Sequence, residues 1–149
     1  MLDLILAIAH HLAVFALVAL FAAEFALLRP GLEGRRLEQL GAIDRAYGGI
    51  AGLVLVIGII RVIFGTAGWE FYVGNWAFWL KMAAFVMVGV LSVKPTRDIL
   101  RWRKAAAADT AYAPPEAEIR ASRRFVHAQA AALLFIPTFA AMIPRIYGI

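Results

Sequence analysis

Four long apolar segments alternate with polar ones along the chain. The apolar segments cover residues 4–28, 47–65, 76–93 and 125–147. Each is near the roughly 20 residues that an α-helix needs to cross about 30 Å of hydrocarbon. Their apolar residues are continuous rather than alternating, which favours helices over the strands of a β-barrel. The pattern predicts an all-α integral membrane protein in which residues 1–149 form one bundle of four transmembrane helices.

Basic residues occur in two of the three connecting segments. The first connection contains Arg29, Arg35, Arg36 and Arg45, and the third contains Lys94, Arg97, Arg101, Arg103, Lys104, Arg120, Arg123 and Arg124. The second connection, residues 66–75, contains no Lys or Arg. By the positive-inside rule the two basic loops lie in the cytoplasm, and both termini lie outside. The predicted location is the bacterial cytoplasmic (inner) membrane, with several crossings.

Prolines and glycines indicate where the helices begin and end. Pro30-Gly31 ends the first helix, and apolar residues at helical spacing before residue 47 place the start of the second helix in the cytosol. Pro114-Pro115 followed by two glutamates predicts that the fourth helix also begins before the membrane. Pro95-Thr96 begins either a short interfacial helix or a plain solvated extension.

Composition supports a membrane protein and excludes several chemistries. The chain is 63% hydrophobic with a mean hydropathy of +0.79, well above the 45–50% apolar content of soluble domains. Absence of cysteine excludes disulfides, thiol catalysis and iron–sulfur clusters. The net charge is +5, and the basic residues lie beside the apolar spans. The expected partners are therefore anionic lipid headgroups rather than nucleic acid. A homo-oligomer is compatible with the sequence, and any electron or protein partner is left open. The first span follows no basic segment and is expected to be retained rather than cleaved.

An outer polar layer is predicted from four ionisable residues: His10, His11, Arg61 and Lys81. At a rise of about 1.5 Å per residue, all four lie about 6 to 11 Å from the outer surface. Arg61 and Lys81 have an alternative interpretation, which is snorkelling to the interface. Neighbouring helical positions diverge by about 100°, so at most one of the two histidines points squarely into the bundle. Aromatic residues at the rim of this layer are interpreted as an interfacial belt: Trp69, Phe71, Tyr72, Trp76 and Trp79.

An inner polar layer contains Glu24 and His127, whose side chains could meet; the alternative is that both are solvated or capping residues. His127 lies about 15 Å or more below the other histidines by helical rise, which disfavours a heme with two histidine ligands. A heme would therefore use one histidine, with Lys81, Met82, water or nothing as its second ligand.

The sequence resembles an uncharacterised bacterial family of predicted membrane proteins, domain-of-unknown-function family 2214. The resemblance covers essentially the whole chain and includes the runs AHHLAVFALVALFAAEFALL, IDRAYGGIAGLVLVIGIIRV and GWEFYVGNWAFWLKMAAFVMVGVLSVKPT. It implies four spans and no established activity. A more distant resemblance, to the HemJ type of protoporphyrinogen IX oxidase, rests on His11-Leu12 and Trp79-Leu80-Lys81. That resemblance implies a b-type heme associated with His11 and Lys81.

Two classes of function follow from these residues. The first is a heme-binding redox protein in which His11 is the axial metal ligand. In this class Lys81 is either a second ligand or a partner of a heme propionate. Arg61 is a propionate partner, and His10 is an adjacent residue of the site. The second is a non-enzymatic transporter or accessory subunit that uses the same layer for anion or proton handling. Motifs typical of soluble enzymes, such as the Walker loop or HExxH, are absent. Whether the protein is an enzyme is left open.

The predicted topology leads to a direct test. Reporter fusions placed at residue 149 and within residues 105–113 should report opposite sides of the membrane, because an odd number of crossings separates them. Activity of a periplasmic reporter at both positions would refute the four-span topology.

Overall fold

The computed structural model describes residues 1–146. This part of the chain contains five helices and no strand: α1 (Leu2–Leu27), α2 (Gly34–Phe64), α3 (Trp69–Val73), α4 (Trp76–Ala108) and α5 (Glu116–Ile146). All except the short α3 are long and apolar enough to cross a membrane, which confirms the predicted four-helix membrane bundle. The side on which the termini lie stays a prediction. The predicted end of the fourth span at Tyr147 lies outside the described residues.

Three of the four long helices are more than half again as long as a membrane crossing requires. The helices α2 and α5 have 31 residues each and α4 has 33, or about 46 to 50 Å against about 30 Å of hydrocarbon. The surplus turns are charged and lie together beside the loops 28–33 and 109–115, at what we call the basic end. The opposite end, where Trp69, Trp76 and Trp79 are exposed, is the aromatic end.

Local sequence signals set most helix boundaries. The turn after α1 includes Gly31 at a φ of 79°, a conformation that favours glycine. The helix α5 begins directly after Pro115, as predicted. At the aromatic end, the Asn75 side chain caps α4 by accepting a hydrogen bond from Ala77 N at 3.0 Å. Its amide also donates to the carbonyl of Ile143 at 2.9 Å, which joins α4 to α5.

The helix α4 runs without interruption through Pro95 to Ala108, so the short interfacial helix considered for this region is wrong. Proline inside a helix removes one backbone hydrogen bond and usually costs about 3 kcal/mol. Here Pro95 is completely buried, and the next two turns place Ile99 and Trp102 in the core with no exposed surface. Packing at the basic end therefore outweighs the local preference for a break.

The bundle consists of two antiparallel hairpins. The most extensive packing is between α4 and α5, followed by that between α1 and α2, and the contact of α2 with α4 joins the two hairpins. The tightest core lies at the basic end, where these side chains are at most 2% exposed: Leu28, Leu32, Leu37, Leu40, Ile99, Trp102, Ile119 and Val126. Large apolar side chains along the spans, such as Phe15, Val90 and Leu134, are exposed, as expected of surfaces that face lipid.

A charged network centred on Asp98 fastens α4 to α5. The Asp98 carboxylate accepts hydrogen bonds from Lys94 Nζ at 2.6 Å, from Arg101 at 3.0 Å and from the buried Ser122 hydroxyl. Glu118 of α5 accepts from Arg101 at 2.7 Å and from the Trp102 indole N–H at 2.8 Å. Charged and neutral donors from both helices thus satisfy two carboxylates outside the apolar spans.

Replacing Asp98 should destabilise the protein. Asp98→Ala leaves the buried Ser122 hydroxyl without its acceptor, so the free energy of unfolding should fall by about 1 to 3 kcal/mol. Denaturation of the purified protein in mild detergent measures this change. Glu116→Ala is the matched control, because its ion pair with Arg120 is exposed on both sides and should contribute at most about 1 kcal/mol. Equal losses in the two variants would contradict the role assigned to Asp98.

Candidate functional site

The outer polar layer is built around His10 on the core face of α1. Along α1 the buried side chains recur at helical spacing, and His10 is the first of them: His10, Ala13, Leu17, Phe21 and Glu24. Its ring faces α2 at Gly58, where a Cβ atom would lie 3.4 Å from the ring carbon Cε1. The absence of a side chain at Gly58 therefore leaves the space in which the imidazole packs.

Arg61 and Lys81 approach the same ring from α2 and α4. Both are partly buried, and their positive charges act on His10. Neither forms an ion pair within 4.0 Å in the described part of the chain. Arg61 Nε and His10 Nδ1 are buried and have no hydrogen-bond partner among the described residues. Three helices therefore bring together two cationic side chains and an imidazole whose polar atoms are incompletely satisfied.

His11 has a different environment from its neighbour. Its side chain is exposed, and Nδ1 lies 2.6 Å from the carbonyl oxygen of Ala7. The rings of His10 and His11 are 6.3 Å apart and nearly perpendicular, as expected from the turn between adjacent helical positions. The structure thus directs His10 into the bundle and leaves His11 on its surface. The assignment of His11 as a metal ligand, with Lys81 and Arg61 as heme partners, stays a prediction.

In the inner polar layer, the side chains of Glu24 and His127 have different surroundings. Glu24 is only 2% exposed, and its Oε2 has no hydrogen-bond partner in the part of the chain that is described. His127 is exposed, with its Nδ1 2.6 Å from the carbonyl oxygen of Arg123 and its ring 4.8 Å from that of Phe25. The structure therefore does not bring Glu24 and His127 together as a pair. The reason is that His127 lies on the outer face of α5, away from the helix's buried positions.

Two inner-layer residues were not identified from the sequence. Gln129 on α5 is fully buried and donates a hydrogen bond from Nε2 to the Tyr47 hydroxyl at 2.8 Å. Thr96 on α4 donates to Asp44 Oδ1 at 2.6 Å. The signal for Gln129 was available, because it is a polar residue within an apolar span and falls in register with the buried positions of α5: Ile119, Ser122, Val126 and Ala132.

A cleft of about 380 Å³ lies between α2 and α4 next to the inner layer. Asp44, Tyr47 and Thr96 line its polar side. The remaining lining residues are mostly apolar or small: Leu17, Arg45, Gly48, Ala51, Phe85, Gly89, Ser92 and Leu100. Within residues 1–146, no three His, Asp or Glu side chains come together as a metal site.

Comparison with known proteins gives one match. A family model described as predicted membrane protein, DUF2214, matches residues 2–148. The chain belongs to this family. No curated protein and no solved structure matches it significantly. The family is defined as one of membrane proteins, in agreement with the four apolar helices, and the more distant resemblance to the HemJ type stays a prediction.

Proposed function

We propose that this membrane protein binds an anion in the outer polar layer, through Arg61, Lys81 and His10. One observation carries the proposal: among residues 1–146, Arg61 Nε and His10 Nδ1 are buried without a hydrogen-bond partner, and neither Arg61 nor Lys81 has an acidic side chain in ion-pair distance. The charges of Arg61 and Lys81 both act on His10. Uncompensated positive charge in an apolar medium is costly, and an anion removes that cost.

Snorkelling explains these residues less well than anion binding does. A snorkelling arginine keeps its charged head in water while its aliphatic stem covers apolar surface. In Arg61 the Nε atom of the guanidinium group is buried without a partner among the described residues, which burial of the aliphatic stem alone does not explain. The guanidinium fork and the imidazole favour an anion with acceptor oxygens, either a carboxylate or a phosphate group. This chemistry suits a small transporter or an accessory subunit.

Calorimetric titration of the protein in mild detergent tests this proposal, with inorganic phosphate and acetate as separate probes. Arg61→Gln should weaken binding of the preferred probe by about tenfold or more, because a charged hydrogen bond contributes about 1.5 to 3 kcal/mol. Arg124→Gln, at an exposed position of α5, is the control and should bind as the wild type does. Absence of binding for both probes, or equal loss in both variants, would refute anion binding in this layer.

A bound b-type heme is the second candidate, and the position of His11 favours it. The contact of Nδ1 with the Ala7 carbonyl makes Nδ1 the protonated nitrogen and leaves Nε2 with a free lone pair on the exposed surface. That arrangement fits an axial ligand of a heme at the surface of the bundle. A heme held by His11 would supply one-electron redox chemistry. Lys81 is the candidate second ligand or propionate partner, with Arg61 and His10 nearby.

Absorption spectra test the heme candidate. The protein, expressed with ample heme supply and purified in mild detergent, should show a Soret band. His11→Ala should abolish the band, whereas Lys81→Ala should weaken or shift it without removing it. His127→Ala is the control, because His127 is also exposed and also contacts a carbonyl one turn earlier, yet lies near the basic end. A wild-type protein without Soret absorbance would exclude the heme candidate.

The basic end bears on the orientation of the protein in the membrane and on its contact with lipid. We infer that it lies in the cytoplasm of a bacterium and contacts anionic lipid headgroups, because exposed arginines cluster there: Arg29, Arg35, Arg36, Arg97, Arg101, Arg120 and Arg124. Each basic side chain near such a surface contributes about 1 kcal/mol of attraction.

A further inference from the structure

Each long helix contributes a polar side chain to one cluster next to the cleft between α2 and α4. The cluster consists of Glu24 from α1, Asp44 and Tyr47 from α2, Thr96 from α4, and Gln129 from α5. Hydrogen bonds join Tyr47 to Gln129 and Asp44 to Thr96. The charge of Asp44 acts on Glu24, and the charges of both carboxyl groups act on Tyr47. We call this group the four-helix polar cluster.

Two acceptors in this cluster lack a donor. Glu24 Oε2 and Gln129 Oε1 are buried without a hydrogen-bond partner among the residues described, and their side chains are 2% and 0% exposed. An unsatisfied buried polar atom costs about 1 to 3 kcal/mol, and a charged one costs more. Both missing partners are of the same kind, because each acceptor calls for a hydrogen-bond donor or a positive charge.

Tyr47 contacts both of the helices that carry the unsatisfied acceptors. Its oxygen accepts the hydrogen bond from Gln129 Nε2, so its own hydrogen remains to be donated elsewhere. Its ring lies 6.1 Å from that of Phe21, which is one turn before Glu24 on α1. Tyr47 therefore contacts α1 through its ring and α5 through its hydroxyl.

The charged groups around the cluster come mainly from α2. The charge of Asp44 acts on Glu24, and the charges of Arg45 and Arg103 act on Asp44 from α2 and α4. His127 is the one histidine of α5, and it is exposed and packs on Phe25. No basic side chain forms an ion pair with Glu24 within residues 1–146. The carboxyl group of Glu24 therefore lacks a resident counter-ion in the described protein.

The cleft offers a route to the cluster. Asp44, Tyr47 and Thr96 belong to both the cluster and the cleft lining. Gly48 and Gly89 also line it, on α2 and α4, and keep it free of side chains at those positions. Its volume of about 380 Å³ exceeds the roughly 30 Å³ that a water molecule occupies in the liquid. Water in the cleft would therefore reach the polar face of Asp44 and Tyr47.

We propose that the four-helix polar cluster is a proton-binding site in which Glu24 holds one exchangeable proton, supplied through the cleft. A hydronium ion in the cleft gives up its proton and becomes water, and the Glu24 carboxylate becomes a neutral carboxylic acid. No electron is transferred. Protonation turns one Glu24 oxygen from an acceptor into a donor, and neutralisation removes the cost of an unpaired charge at membrane depth. Tyr47 and Gln129 act as positioning residues.

A proton fits this cluster better than a divalent metal ion does. Calcium takes about six to eight oxygen ligands, and magnesium requires a near-ideal octahedron of about six, usually with several waters and substrate phosphates. Only two carboxyl groups are present here, and Thr96 already occupies one oxygen of Asp44. Sodium remains the alternative occupant, and the experiment separates it from the proton.

Infrared spectroscopy of the intact protein in lipid nanodiscs tests the proposal. At pH 7 without sodium, the wild type should show the carbonyl band of a protonated carboxylic acid, and that band should shift in heavy water. Glu24→Gln should lose the band, and Glu24→Asp should keep it at a shifted frequency, which also guards against a misfolded glutamine variant. Glu38→Gln, at an exposed position of α2, is the control and should keep the band unchanged. Tyr47→Phe should shift the band without removing it.

Three results would overturn the proposal. They are absence of the band in the wild type, persistence of the band in Glu24→Gln, and loss of the wild-type band on addition of sodium chloride but not of choline chloride. The last result would identify the cluster as a sodium site. Phosphate binding should be the same in Glu24→Gln as in the wild type, so the outcome is independent of the anion site in the outer layer.

Discussion

The hydrogen bonds to Asp98 are the interactions on which the basic end of the bundle depends. Pro95 removes a backbone hydrogen bond where α4 leaves its apolar segment, and the side-chain contact from Lys94 to Asp98 spans that same turn at 2.6 Å. Ser122 then ties the carboxylate to α5. Because α4 continues past the proline, Ile99 and Trp102 enter the tightest part of the core. A break at Pro95 would remove the C-terminal part of α4, which is one of the four helices that surround this core.

The polar residues at membrane depth form two groups of opposite charge. The layer near the aromatic end is cationic, whereas the cluster nearer the basic end contains two carboxyl groups. Among the described residues, the cationic layer has unsatisfied nitrogen atoms at His10 and Arg61, and the four-helix polar cluster has unsatisfied oxygen atoms at Glu24 and Gln129. Packing alone would not select such pairs, because apolar residues of similar volume would avoid the desolvation cost. This separation is the physical basis for assigning an anion to one layer and a proton to the other.

Sequence periodicity was sufficient for the fold but only partly sufficient for the candidate sites. Continuous apolar runs predicted the four spans, and the boundaries at Pro30-Gly31 and Pro114-Pro115 followed from backbone chemistry that acts locally. The continuation of α4 through Pro95 was not predictable locally, because burial of Trp102 by other helices decides it. Depth arithmetic placed Glu24 and His127 near the same level, but depth says nothing about rotation around the helix axis. The helical register of α5 separates the exposed His127 from the buried Gln129, but it does not identify Tyr47 as the partner that Gln129 reaches.

Rotation around the axis of α1 also gives the two adjacent histidines different surroundings. A turn of about 100° between neighbours separates a buried His10 facing Gly58 from an exposed His11 whose Nδ1 contacts its own helix. The buried ring shares its space with Arg61 and Lys81, so its surroundings favour an anion over a further cation. The exposed ring keeps Nε2 available at the surface, where a metal-containing group would have to be held between this chain and lipid or a second copy. The anion and heme hypotheses therefore rest on different histidines of α1, but both assign Arg61 and Lys81, so the two occupants would compete for these two side chains.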